Sequence, residues 1–112
     1  MRDARYVWVV LIPRREGLAE LSDLNASERS ELMEEAVTAG EAVGRIADAL
    51  GRPLHKLNTA ALGNITRQLH VHVIGRRTDD AAWPQPVWGV GKAEPWEDYD
   101  LTHIARLWAE TL

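Results

Sequence analysis

Cysteine is absent from this chain of 112 residues, which excludes disulfides and thiolate chemistry and gives no hint of secretion. Phenylalanine is absent as well, whereas five tryptophans are present, large enough to fill a small core economically. No apolar run approaches the roughly 20 residues that a membrane helix needs. The first residues do not read as a signal peptide, so a cytoplasmic enzyme or binding module is expected. An excess of positive charge is also missing. The net charge of −4 argues against extended binding to a nucleic-acid backbone, which needs a clustered cationic surface. The basic pairs Arg14-Arg15 and Arg76-Arg77 are scattered among acids and read as solvated faces, although one pair suffices for a small phosphate ligand. Internal repeats and low-complexity segments are lacking too. What remains is one domain, 46% hydrophobic and 27% charged, long enough to close a single core.

Tyr6 to Pro13 is β-branched and aromatic, and too short for a stable helix; it reads as a covered strand ended by Pro13. Asn25 to Leu50 carries the strongest periodicity. Leu32, Met33, Ala36, Val37, Val43, Ile46, Ala47 and Leu50 form one apolar stripe at helical spacing. Asn25 and Glu28 make a capping-box pattern, and Gly51 and Pro53 end the helix. Gly40 and Gly44 each weaken it by roughly 1 kcal/mol relative to alanine but allow close approach to a sheet. Leu54 to Leu62 is expected as a strand that ends at the turn Gly63-Asn64. Gln68 to Gly75 alternates and is expected to pair antiparallel with it. Residues 76–100 are irregular, and 101–112 return to helical spacing. The sum is an α+β domain, an antiparallel β-sheet with one long helix packed across it.

In a strand, residues two apart share a face. Gln68, His70, His72 and Ile74 therefore lie on one side, and Leu69, Val71 and Val73 on the other, buried against the long helix. Polar groups in a row on the first side are expected to meet water or a ligand. A neutral imidazole is a nucleophile that needs no separate base, and its phosphoramidate is readily hydrolysed. A second imidazole can donate hydrogen bonds to charge developing on phosphoryl oxygens. Two histidines at this spacing also suit zinc if a third ligand is available. Neither His55 nor His103 has an obvious spacing for that, and Asp79 and Asp80 read equally well as loop residues. An exposed strand face that merely carries histidines weighs about evenly against all of these, because short motifs match by chance.

Here the sequence resembles the histidine-triad family, whose signature is His-φ-His-φ-His-φ-φ with φ apolar; the matching stretch is Gln68-Leu69-His70-Val71-His72-Val73-Ile74. Gly63-Asn64 resembles the family's Gly-Gln upstream. Gly75 and Trp83-Pro84 resemble the tail that leads to its Trp-Pro segment. Leu11 to Arg15 resembles the strand that ends in Pro-Lys-basic, and Asp23-Leu24 the start of the helix. The likeness runs from about Asp3 to Gly89 with the motifs in order.

The resemblance implies a homodimer and nucleotidyl transfer, in which a histidine attacks the α-phosphorus of a purine nucleotide or dinucleotide and water cleaves the nucleotidyl-histidine. By position, His70 is the nucleophile and His72 the contact to phosphate oxygens. Gly63 and Asn64 would meet phosphate or leaving group, Asn58 matches a polar residue of the preceding strand, and Asp3 resembles a ribose-binding residue. No cofactor is required, although a divalent metal ion can accompany the substrate. Three features depart from the pattern. Gln68 stands where the first histidine is expected, and an amide cannot act as an acid. Val7-Trp8 and Glu16 replace family residues beside the Pro-Lys strand. The family also has a first strand before the position of Asp3. The expected activity is hydrolysis or transfer on a nucleoside phosphoramidate or dinucleoside polyphosphate. The alternatives are a nucleotide-binding or dimerisation module with weak or no turnover, and a metal site on His70 and His72. Trp83, Trp88 and Trp96 read as packing or dimer-contact residues at the sheet edge, with base stacking as the lesser alternative, and Tyr6 and Trp8 as core.

Overall fold

The computed structural model describes residues 1–111, the last by its backbone alone; the expected helix end at Leu112 lies outside the described residues. Three strands form one antiparallel sheet: β1 (Trp8–Leu11), β2 (Lys56–Ala60) and β3 (Val71–Arg76), in the order β1-β3-β2. Two α-helices accompany them among the described residues, α1 (Ala26–Ala49) and α2 (Asp98–Thr111), with a short 3-10 turn at Leu21–Asp23 before α1. The α+β class is as expected, but each strand is shorter than its sequence pattern. Pro13 lacks an N–H to continue β1, and the ladder stops at Leu11 opposite Val71. On the other side β2 stops at Ala60 opposite His72. His70 and Gln68 thus lie just beyond the last rungs.

The long helix begins as its caps dictate. Asn25 Oδ1 accepts from the Glu28 N–H at 2.8 Å, and Glu28 Oε1 accepts from the Asn25 N–H at 2.9 Å. Gly51 takes φ +73° after the last turn, a conformation that favours glycine. One face of α1 lies on the sheet, where Ala36, Ala39, Val43, Ile46 and Ala47 bury against Val7 and Val73. Each buried Val or Ile contributes about 1.5–3 kcal/mol relative to exposure. A Cβ on Gly40 would sit 2.8 Å from Leu57 Cδ1, so this glycine sets how closely helix and sheet approach. The same expectation fails at Gly44, which has open space around it. Met33 and Val37 are exposed rather than part of the buried stripe, because the three-stranded sheet covers a narrower face than the apolar pattern spans. Helix α2 starts three residues earlier than expected and brings Ile104 and Leu107 onto the same core.

The other face of the sheet is not left to solvent. Tyr6, Trp8 and Ile74 pack under Ala82 and Val87 from the chain that follows β3. That cover is held by Arg76, whose guanidinium reaches both carboxylate oxygens of Asp80 at 2.8 and 3.0 Å, Asn58 Oδ1 at 2.8 Å and the Gln85 carbonyl at 2.8 Å. Arg76 is therefore buried, 1% exposed, where a solvated residue was expected. The Asp80 side chain is equally buried rather than a free loop acid. It also accepts from the backbone N–H groups of Arg77, Ala82 and Trp83, fixing the turn. Burial pushes its carboxyl up, but these donors outweigh it and hold the pKa down to about 2.

Candidate active site

A groove of about 510 Å³ opens along the end of β3. Gln68, His70 and His72 line it together with Gly63, Asn64, Trp88 and the N-terminal Met1. Its walls are mostly apolar, with Val10, Ile12 and Leu62 contributing. A smaller hollow of about 230 Å³ adjoins the other side of His70, between Gly63 and Glu20. The sequence therefore brought together five of its seven expected site residues: Gln68, His70, His72, Gly63 and Asn64. The turn at Gly63 takes φ +72°, which places Asn64 and the exposed Ile65 at the rim.

The two histidines are fixed by different partners. His70 Nδ1 lies 2.6 Å from the Gln68 carbonyl oxygen. A carbonyl only accepts, so Nδ1 carries the hydrogen, and in the neutral ring the lone pair is on Nε2. His72 has the opposite arrangement: the Trp8 indole N–H donates to His72 Nδ1 at 3.0 Å. An indole N–H only donates, so the His72 hydrogen resides on Nε2. His72 is only 6% exposed and packs edge-on against Trp8, Trp88 and His70. Burial lowers its pKa below the ordinary histidine range, and the neighbouring His70 and the Met1 amino group push in the same direction. The row expected to meet water or a ligand does so unevenly: His70 is the more open, His72 is nearly covered and Ile74 is fully buried.

The Gln68 side-chain amide donates to the Pro13 and Arg15 carbonyls, both at 3.4 Å, across the loop after β1. Asn58 shares the histidine face through its pairing with Ile74 but gives its carbonyl oxygen to Arg76. Asp3 lies away from the groove, buried, with its carboxylate held by Arg5 and by the Arg5 and Glu94 N–H groups. Burial opposes its ionisation, but the Arg5 side chain and those N–H donors prevail and keep its carboxyl below the usual range. His55 accepts from the Thr78 N–H at the surface, and His103 lies tilted against the Tyr99 ring. Among the described residues no group of three or more His, Cys, Asp or Glu could hold a metal ion. Trp8 and Trp88 were legible only as packing residues. Alternation along β1 puts Trp8 on the histidine face, but nothing local reveals that its indole reaches His72.

Residues 1–79 match the HIT domain family, and the chain belongs to it. Members of that family are in general nucleotide-binding hydrolases or transferases. Solved structures agree. A histidine triad protein from Sinorhizobium meliloti 1021 is 39% identical with a TM-score of 0.90, covering 100% of this chain and 79% of that one. One from Bradyrhizobium japonicum is 39% identical with a TM-score of 0.90, covering 99% and 79%. A third, from Marinobacter aquaeolei VT8, is 33% identical with a TM-score of 0.87, covering 100% and 78%. No curated protein matches the chain significantly. Among the described residues no helix is long and apolar enough to cross a membrane.

Proposed function

We propose that the chain is a nucleotidyl hydrolase or transferase that works through a covalent nucleotidyl-histidine at His70. The observation that carries this reading is the bond from His70 Nδ1–H to the Gln68 carbonyl, which leaves the Nε2 lone pair on a ring that lines the groove. Attack by that lone pair on the α-phosphorus of a bound nucleotide leaves positive charge on the ring, which the Gln68 carbonyl can accept through the same hydrogen bond. His72, with its hydrogen on Nε2, donates to a phosphoryl oxygen as charge develops there. The Gly63-Asn64 turn supplies the opposing contacts to phosphate. Asn58 and Asp3, both already engaged inside the protein, act as supports rather than as contacts to the nucleotide. The substrate is a purine nucleotide derivative such as a dinucleoside polyphosphate or phosphoramidate, and the apolar walls suit a base or its linker.

The test is mass spectrometry of the protein quenched during turnover of an adenosine dinucleotide. A nucleotidyl adduct should map to His70 and vanish, with activity reduced by more than about 10³-fold, in His70→Ala. Unchanged turnover in that variant would sink the mechanism. A homodimer belongs to the same reading, supported by β2 as an edge strand and by Met33 and Val37, which lie exposed on α1. Sedimentation of the protein and of Met33→Glu checks it: the wild type should run as a dimer and the variant as a monomer.

A further inference from the structure

We propose that Trp8 is a positioning residue of this site, whose indole N–H holds His72 in the one ring orientation and the one tautomer that leave Nε2–H for the groove. This rests on nucleotidyl transfer at His70 with His72 as the donor to a phosphoryl oxygen. Trp8 sits on another strand and lines no part of the groove, so its influence on the reaction passes through His72 alone.

The sheet register makes the contact possible. Val10 stands directly opposite His72 and Trp8 opposite Ile74, so Trp8 is the diagonal neighbour of His72 on the same face. Diagonal partners in an antiparallel pair lie roughly 7–8 Å apart, within reach of a long aromatic side chain. The indole spans that gap and brings its N–H to 3.0 Å from His72 Nδ1. Phenylalanine has no donor to bring there. The indole is itself held firmly: Trp8 is 9% exposed, with Tyr6 edge-on at 6.3 Å and Trp88 edge-on at 5.6 Å. Both alternatives to the observed imidazole are penalised by it. A half-turn of the ring would set a carbon against the indole N–H. Moving the hydrogen to Nδ1 would set two N–H groups head to head. Either change leaves a buried donor without an acceptor, a cost that shifts the equilibrium on the order of tenfold or more.

Protonation is resisted for the same reason, because His72 would take its second hydrogen at Nδ1. Strand β1 also presents Val10 to the ring, β2 presents Ala60, and the segment after β3 presents Trp88, none of which titrates. The titratable groups that face it are the neighbouring His70 and the Met1 amino group. Burial opposes a positive charge on His72 most, and those two groups act in the same direction. The ring is thereby kept as a neutral donor with its hydrogen on Nε2. A donor already aimed at the oxygen where charge develops needs no reorganisation during the reaction. This holds whichever group protonates the leaving group.

Nitrogen-15 NMR of the wild-type protein without substrate should show His72 with Nδ1 bare and Nε2 protonated at neutral pH. Trp8→Phe keeps an aromatic ring and removes the N–H. In that variant His72 should populate both tautomers, and its titration midpoint should rise toward the ordinary 6.5. Turnover of an adenosine dinucleotide should lose about tenfold in kcat, part of the roughly 10²–10³ that a whole donor contributes, with KM changed by less than about twofold. Tyr6→Phe disturbs the same aromatic cluster but removes only a buried hydroxyl that has no hydrogen-bond partner among the described residues. It should leave tautomer, midpoint and kcat where they are. A hydrogen on His72 Nδ1 in the wild type at neutral pH would overturn the proposal, and that measurement needs no variant to fold. So would a folded Trp8→Phe that keeps the wild-type kcat while His70 still forms its nucleotidyl adduct. A Tyr6→Phe protein that loses as much as Trp8→Phe would also overturn it, since packing alone would then suffice. No adduct on His70 of the wild type would defeat the nucleotidyl-transfer reading itself, and this one with it.

Discussion

His70 and His72 stand two residues apart, one just before β3 and one within it, yet they live in unlike surroundings. His70 lies past the end of the ladder, half-exposed, held by one backbone carbonyl and bordered by the open turn at Gly63. His72 lies inside the ladder, almost dry, between two indole rings and under a cover tied down by Arg76 and Asp80. One residue type with one spacing is an accessible imidazole at the open end and a covered one, fixed by an indole, at the other. What separates them is where β1 and β2 stop and what folds back over β3. The chemistry of an imidazole is set by its partners, not by its place in a motif.

The strongest way to break the contrast is to release the cover. Asp80→Ala leaves Arg76 as an uncompensated buried charge, and breaking such a pair costs about 3–5 kcal/mol. Urea unfolding should show that loss, together with a His72 signal that titrates like a solvent-exposed imidazole. Acid does the same thing reversibly. The Asp80 pKa is about 2 in the folded protein against 3.8 as a free side chain. The stability it adds is therefore present above pH 4 and disappears as pH falls toward 2, by about 2 kcal/mol. Denaturant midpoints measured across that range would detect it, and a flat profile would show that Asp80 is not the tie.

Trp88→Ala sharpens the comparison by removing only the ring that closes the covered end. The folded pKa of His72 is lowered, so its contribution to stability is present above the unfolded value of 6.5 and is lost as pH falls through the folded one. In the variant, NMR titration should place that midpoint nearer 6.5, and the acid loss should shrink. An unmoved midpoint would mean that Trp8 and the strands alone set it. The smallest effect belongs to the open end. Ile65 is 100% exposed, so Ile65→Ser should change unfolding stability by less than about 0.5 kcal/mol. A larger change would show that the rim packs against something in solution.

The open end was readable in the sequence and the covered end was not. Alternation from Gln68 to Ile74 placed two imidazoles side by side, Gly63-Asn64 marked the turn opposite, and Asn25 with Glu28 fixed where α1 begins. Each of those signals acts over a few residues. The cover depends on groups far apart in the chain: Trp8 meets His72 across 64 residues, and Arg76 meets Asn58 across 18 and Gln85 across 9. A basic pair followed by two aspartates looks the same whether solvent or a tryptophan lies above it, so Arg76 and Asp80 read as surface residues. Strand length failed for a related reason. The β pattern of Tyr6 to Pro13 and of Gln68 to Gly75 continues past the last partner, and hydrogen bonding rather than composition decides where a strand ends. Asp3 shows the limit of positional matching: its carboxylate is spent on Arg5 and two N–H groups inside the fold.

The bond from His70 to the Gln68 carbonyl carries a consequence for how such a site changes over generations. The His70 ring takes its orientation from main chain, and a substitution at position 68 leaves that carbonyl in place. The side chain there is consequently at liberty to vary while the imidazole keeps its place in the groove.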